Sequence, residues 1–114
     1  MQVVNNQISV QELKKMSEKM FESLVKAVVD IERGTMVVDA SMHADEEFFL
    51  LEDGSLQENL WGINLFPDKW GKEEFIVFDS MINLRPSQGN RSRSVEDPKI
   101  REQIIAIVNR LVKP

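Results

Sequence analysis

From Leu24 to His43 the chain alternates between two residue classes with a period of two, interrupted at Glu32-Arg33-Gly34-Thr35. That is the pattern of two strands joined by a tight turn. Folding the segment back through Arg33-Gly34 pairs Ile31 with Met36, Val29 with Val38, Ala27 with Ala40 and Val25 with Met42, and every member of that face is apolar. The opposite face then pairs Glu32 with Thr35, Asp30 with Val37, Val28 with Asp39, Lys26 with Ser41 and Leu24 with His43. A slip of one residue would move each side chain to the other face, so the pattern decides which residues point inward. Arg33 is not the preferred first residue of a two-residue turn, and a bulge there would shift the outer pairs.

A second pair of strands is expected at Leu60–Phe66 and Phe75–Leu84, joined by the turn residues Pro67 to Glu73. In the later strand Ile76, Phe78, Ile82 and Leu84 share one face, while Phe75, Val77, Asp79, Met81, Asn83 and Arg85 share the other. Two helices frame these strands. Ser9-Val10-Gln11-Glu12 is a capping box with Ile8 and Leu13 spaced as a staple, and Leu13, Met16 and Met20 continue one stripe, which predicts a helix from Val10 to about Met20. Asp97-Pro98 starts another, whose stripe is Ile100, Ile104, Ile107, Val108 and Leu111. The segment from Met42 to Gly54 suits either a strand or a short helix; the acids ahead of Phe48 and the glycine behind Asp53 favour the helix.

These elements compose an α+β fold: a two-layer sandwich in which a four-stranded antiparallel sheet, built from two β-hairpins, carries the N- and C-terminal helices on one face. The length of 114 residues suits a single domain, 1–114. The longest uninterrupted apolar run, Ile104 to Val108, is far too short to span a membrane. Gln2, Asn5, Asn6 and Gln7 do not fit a secretory leader, so a cytoplasmic protein is expected. Cysteine is absent, which excludes disulfides, thiolate metal sites, iron–sulfur clusters and cysteine nucleophiles. A single histidine leaves too few nitrogen ligands for the common zinc sites, so neither a metal nor a cofactor is expected. The formal charge of −5 argues against a nucleic-acid binder and leaves room only for a local anion site.

That site is sought in Asn83-Leu84-Arg85-Pro86-Ser87-Gln88-Gly89-Asn90-Arg91-Ser92-Arg93-Ser94, an acid-free stretch with three arginines. Arginine forks match phosphate or carboxylate oxygens, so Arg85, Arg91 and Arg93 are the candidate contacts of a phosphate-bearing or other anionic ligand. Asn83, Ser87, Gln88 and Asn90 add neutral hydrogen-bonding groups. The competing reading pairs the arginines with the protein's own acids, among them Asp45, Glu46, Glu47, Glu52, Asp53 and Glu58. Asp39, His43 and Asp45 are the candidate catalytic groups, as acid, base or hard-cation ligands; the bland alternative is a solvated sheet face. The mixed sheet face also carries Val28, Val37, Phe75, Val77 and Met81, which either a homodimer seam or a third helix would cover.

His43-Ala44-Asp45, Leu51-Glu52-Asp53-Gly54-Ser55, Leu60-Trp61-Gly62-Ile63-Asn64 and the run from Ile82 to Ser92 resemble the motifs of a small prokaryotic family classed as a domain of unknown function. The resemblance spans most of the chain after the first helix and implies a bacterial or archaeal cytoplasmic origin. It implies no activity. The leading expectation is therefore a non-enzymatic binding or accessory protein that uses the Arg85–Arg93 loop and an open sheet face to engage an anionic ligand or a protein partner. The alternatives are a small hydrolase or phosphotransfer-type enzyme built on Asp39, His43 and Asp45, and a homodimeric interaction module.

Overall fold

The computed structural model describes residues 1–114. Strands β1 (Gln2–Val4), β3 (Val25–Asp30), β4 (Thr35–Val38), β5 (Leu60–Leu65) and β6 (Ile76–Val77) form one antiparallel sheet in the order β1-β4-β3-β5-β6. Three helices pack on it: α1 (Val10–Ser17), α2 (His43–Glu52) and α3 (Pro98–Leu111). Outside the sheet, β2 (Ile8–Ser9) runs parallel to β7 (Val112–Lys113), which ties the entry of α1 to the exit of α3.

The β3–β4 hairpin forms with the expected faces but a different register. Val29 pairs with Met36, Ala27 with Val38 and Asp30 with Thr35, two residues away from the pairing through a tight Arg33-Gly34 turn. The reason is Asp30. Its Oδ1 accepts the N–H groups of Glu32 and Arg33, its carbonyl accepts that of Gly34, and Gly34 turns at φ 70°, so a four-residue turn replaces the two-residue one. A shift of two residues conserves the faces, and Val25, Ala27, Val29, Met36 and Val38 all lie in the main core. The strand pairing stops at Val38 because Asp39 takes φ 72°, so Ala40 and Met42 do not extend the apolar face as expected.

Helices α1 and α3 cover that face. Ser9 and Glu12 close the capping box at α1, Asp97 caps α3 from its side chain, and Leu13, Ile104, Val108 and Leu111 join the core. The N- and C-terminal helices thus share one face as expected, and the mixed face is covered by a third helix, α2, one of the two covers the sequence left open. Leu50 packs there with Val28, Val37 and Leu60. The sheet has five strands rather than four, because β1 adds to β4 along Gln2↔Val38 and Val4↔Met36. Val28 and Val37, put forward for a dimer seam, are thus covered within the chain, and Phe75 faces the main core instead.

The expected strand Phe75–Leu84 is also corrected. Only Ile76 and Val77 pair with β5, after which the chain leaves the sheet through a 3₁₀ turn at Met81–Asn83. Ser80 starts that turn by accepting the Ile82 N–H on its side chain. Gly62 in β5 permits the approach: a Cβ there would lie 2.6 Å from the Ser80 Cβ and 2.6 Å from its Oγ.

Candidate functional site

The arginine loop is held by side-chain amides acting in place of a strand. Asn83 is fully buried; its Oδ1 accepts the Gly62 N–H at 2.8 Å, and its Nδ2 donates to the Gly62 carbonyl at 2.9 Å and to the Arg93 carbonyl at 3.0 Å. One amide thus pairs with both backbone groups that a neighbouring strand would have met. Asn90 repeats the device inside the loop, donating to the carbonyls of Asn83, Ser92 and Ser94 and accepting the Glu96 N–H. Between them, Arg85 and Asn90 pair as a bridge across a Pro86–Gln88 turn that closes at Gly89, φ 85°. Pro86 fixes the start of the turn and Gly89 supplies its left-handed end.

Arg85 turns inward. Its Nη1 donates to the Gln57 carbonyl, its Nη2 donates to the Leu60 carbonyl at 2.7 Å, and the guanidinium stacks 4.1 Å from the ring centre of Trp61. Burial lowers its pKa from the ordinary arginine value, against the opposing charge of Glu47. Gln88 donates to the Glu58 carbonyl. Arg93 binds Asp79 through Nε at 2.7 Å, with both side chains about half exposed. Arg91 and Ser87 are exposed, and the Arg91 N–H donates to Glu96, whose carboxyl is held below its usual range by hydrogen bonds from Ser92 and Arg91. The seven residues do form one structural unit. Asn83, Arg85 and Asn90 direct their polar groups into the protein, Gln88 bonds Glu58 at the surface, and Ser87, Arg91 and Arg93 face water.

Asp39, His43 and Asp45 take three separate settings. Asp39 is bound by Lys19 at 2.8 Å. His43 is buried, with Nε2 2.8 Å from the Ile63 carbonyl. Because a carbonyl only accepts, Nε2 carries the proton, and burial lowers the pKa so that the ring is neutral near pH 7. Asp45, two residues along the same helix, is exposed on another side. The acid that does share the inward face of α2 with His43 is Glu46, fully buried. One of its oxygens accepts the Ala40 N–H at 3.1 Å and the other, Oε1, has no partner. Burial pushes its pKa from 4.5 up to about 9.

A groove of about 860 Å³ lies elsewhere, between β6 and α3. Trp70, Phe75, Ile76, Phe78 and Ile105 give it an apolar lining. Lys72, Arg101 and Lys113 supply its cations against one acidic side chain, Glu73, and none of the three lies in a salt bridge. Arg101 stacks 4.7 Å from the Phe78 ring and donates to the Ser94 hydroxyl at 2.7 Å, so the end of the arginine loop forms part of the wall. Phe66 donates its N–H to the Phe75 carbonyl, which makes those two a hydrogen-bonded pair and turns the N–H and C=O of Ile76 away from β5.

Three of the motif segments that suggested a family meet at β5, where His43 reaches the Ile63 carbonyl and Gly62 meets Asn83, and the fourth is held to β3 by Ser55, which donates to Asp30 at 2.6 Å. A family model matches residues 2–111. The chain belongs to the DUF5674 family. That family is described as a protein of unknown function. No curated protein and no solved structure matches the chain.

Within this DUF5674 domain, sequence reasoning missed the groove and Glu46. Ile105 was the available signal for the groove, because it is an apolar residue lying off the buried stripe of α3 and is 38% exposed. For Glu46 the signal was its spacing. It stands three residues after His43 and four before Leu50, the positions that share one helix face.

Proposed function

We propose that this DUF5674 domain is a non-enzymatic binding module whose ligand is an anion with an apolar body, seated in the groove between β6 and α3. The observation that carries this reading is the juxtaposition of an apolar lining with three cations free of salt bridges, in a chain of net charge −5. Apolar cavities with a few convergent polar groups are the usual form of a small-molecule site. Here Phe78 and Ile105 take the apolar body, Lys72 and Lys113 take the charge, Arg101 adds the guanidinium donors that the Val95 carbonyl and the Ser94 hydroxyl leave free, and the outward N–H of Ile76 offers a hydrogen bond. The arginine loop contributes as a wall and support, since Arg85 is spent on Gln57 and Leu60 and Arg93 on Asp79. His43 and Asp45 face different sides of α2, and nothing in their geometry supports a joint acid–base role.

Decanoate is a suitable probe, with 1-decanol as its uncharged counterpart. Calorimetry should show saturable binding at one decanoate per chain, and Trp70 emission should change with the same midpoint. Ile105→Glu places a charge against the apolar lining and should weaken binding by about tenfold or more, or roughly 1.4 kcal/mol. Lys72→Ala with Lys113→Ala should narrow the preference for decanoate over decanol. Absence of saturable binding, or equal binding by the parent and Ile105→Glu, overturns the assignment.

A further inference from the structure

A second surface, on the opposite side of the sheet, has the form of a protein-docking site. Phe48-Phe49-Leu50-Leu51 places four consecutive apolar residues on α2, and successive helical residues are turned about 100° apart, so one sheet cannot cover them all. Leu50 is buried against Val28, Val37 and Leu60. Phe48 remains 64%, Phe49 37% and Leu51 38% exposed. A turn of helix that is apolar on every side is usually covered on every side, and Phe48–Leu51 has a covering layer on one side only.

The charge around this patch selects its occupant. Asp45 stands three and four residues before Phe48 and Phe49, and Glu52 stands four after Phe48, so a carboxylate brackets the apolar stripe at each end. Both are exposed, and neither is in a salt bridge. They stand seven positions apart, about 10 Å along the helix axis at ~1.5 Å per residue. A second copy about a two-fold axis would set α2 against α2 and bring Asp45 of one chain toward Glu52 of the other, apposing like charges. An anionic membrane would be repelled in the same way.

We propose that the outer face of α2 docks a basic amphipathic helix of another protein, one that carries lysine or arginine about seven residues apart on either side of apolar anchors. The apolar anchors cover Phe48 and Leu51, and the two cations meet Asp45 and Glu52, which fixes the partner's register along α2. This site is independent of the groove beneath α3, because the two lie on opposite faces of the sheet.

The test uses the full chain and a labelled synthetic helix of about 15 residues, with lysines seven apart bracketing leucines, read by fluorescence anisotropy. A peptide with glutamates in place of the lysines is the control. The lysine peptide should bind saturably at one per chain, at least about tenfold more tightly than the glutamate peptide, and more weakly as salt rises from about 50 to 300 mM. Phe48→Ala with Leu51→Ala should lose about tenfold or more of that binding. Both side chains are exposed, so this variant should keep the parent's circular dichroism and melting temperature; Phe48→Lys, which adds repulsion, should lose at least as much. Equal binding of the two peptides, or unchanged binding by the double variant, overturns the proposal. So does sedimentation that shows a parent dimer converted to monomer by the double variant, since the face would then belong to a second copy.

Discussion

Glu46→Gln should stabilise the protein at neutral pH, by an amount that grows with pH. The folded carboxyl is fully buried with Oε1 unpartnered, and burial raises its pKa from 4.5 to about 9 against the Ala40 hydrogen bond and the charge of Lys26, with Asp39 adding to the rise. Between those values the unfolded chain has released a proton that the folded chain still holds, so stability falls as pH rises. Each pH unit above 4.5 costs about 1.4 kcal/mol, which makes about 3 kcal/mol by pH 7 and approaches about 6 kcal/mol near pH 9. Glutamine keeps an acceptor for the Ala40 N–H and has no proton to lose. Urea unfolding of parent and variant, followed by circular dichroism from about pH 4.5 to pH 8, isolates the effect because the other titrating groups cancel in the difference. With a slope of about 1–3 kcal/mol per molar urea, the variant's midpoint should gain roughly 1–3 M on the parent's between pH 4.5 and pH 7. A difference that stays constant over that range would refute the reasoning, because the folded carboxyl would then be ionised at its site.

Asn83→Ala leaves the Gly62 N–H and carbonyl and the Arg93 carbonyl without their amide partner, and should cost about 2–4 kcal/mol, read as a fall of roughly 10 °C or more in melting temperature. Gly62→Ala drives a methyl into Ser80 and should cost about 1–3 kcal/mol, with the hydrogen-exchange protection of the Ile82 and Asn83 amides falling before that of β3. His43, the chain's one histidine, should titrate below 6.5 by NMR in the folded protein, and its contribution to stability should be present above pH 6.5 and be lost as pH falls through the lower folded value. A folded midpoint at or above 6.5 would contradict its burial.

What could be read in the sequence was local chemistry. The Ser9–Glu12 capping box and the Asp97-Pro98 start both stand where a helix begins, because each is decided by residues within one turn of the cap. The faces of β3 and β4 were legible for a related reason: alternation survives any shift by two residues, and the register itself depended on Asp30 folding back onto the turn. Phe75–Leu84 misled because Phe78, Met81, Ile82 and Leu84 carry strand composition, while Ser80, Asn83 and Gly62 together favour a turn. That preference is a contact between segments, which no window along the chain contains. The arginine loop was legible as a unit but not in its orientation. Whether Arg85 faces water or Trp61 depends on the Gln57 and Leu60 carbonyls, brought to it from the start of β5.

The early exit of the chain from β6 connects the loop to the groove. Had the strand run on to Leu84, Ile76 and its neighbours would have formed one long sheet edge, open to pairing with another strand. Instead the edge is shortened, and beyond it the chain pairs with itself: Ser80 donates its N–H to the Arg93 carbonyl at 3.0 Å. From Arg93 the chain turns away toward α3, where Arg101 holds the Ser94 hydroxyl and stacks on Phe78. Ser94 is where that segment reaches the groove between β6 and α3. Asn83 and Asn90 therefore act on the groove without lining it, by fixing the segment that reaches it. It follows that Asn83→Ala should weaken decanoate binding in the protein that remains folded, whereas Arg91→Ala, in the same loop but facing water, should leave it unchanged. If both variants bind decanoate as the parent does, the loop and the groove are separate structures that merely adjoin.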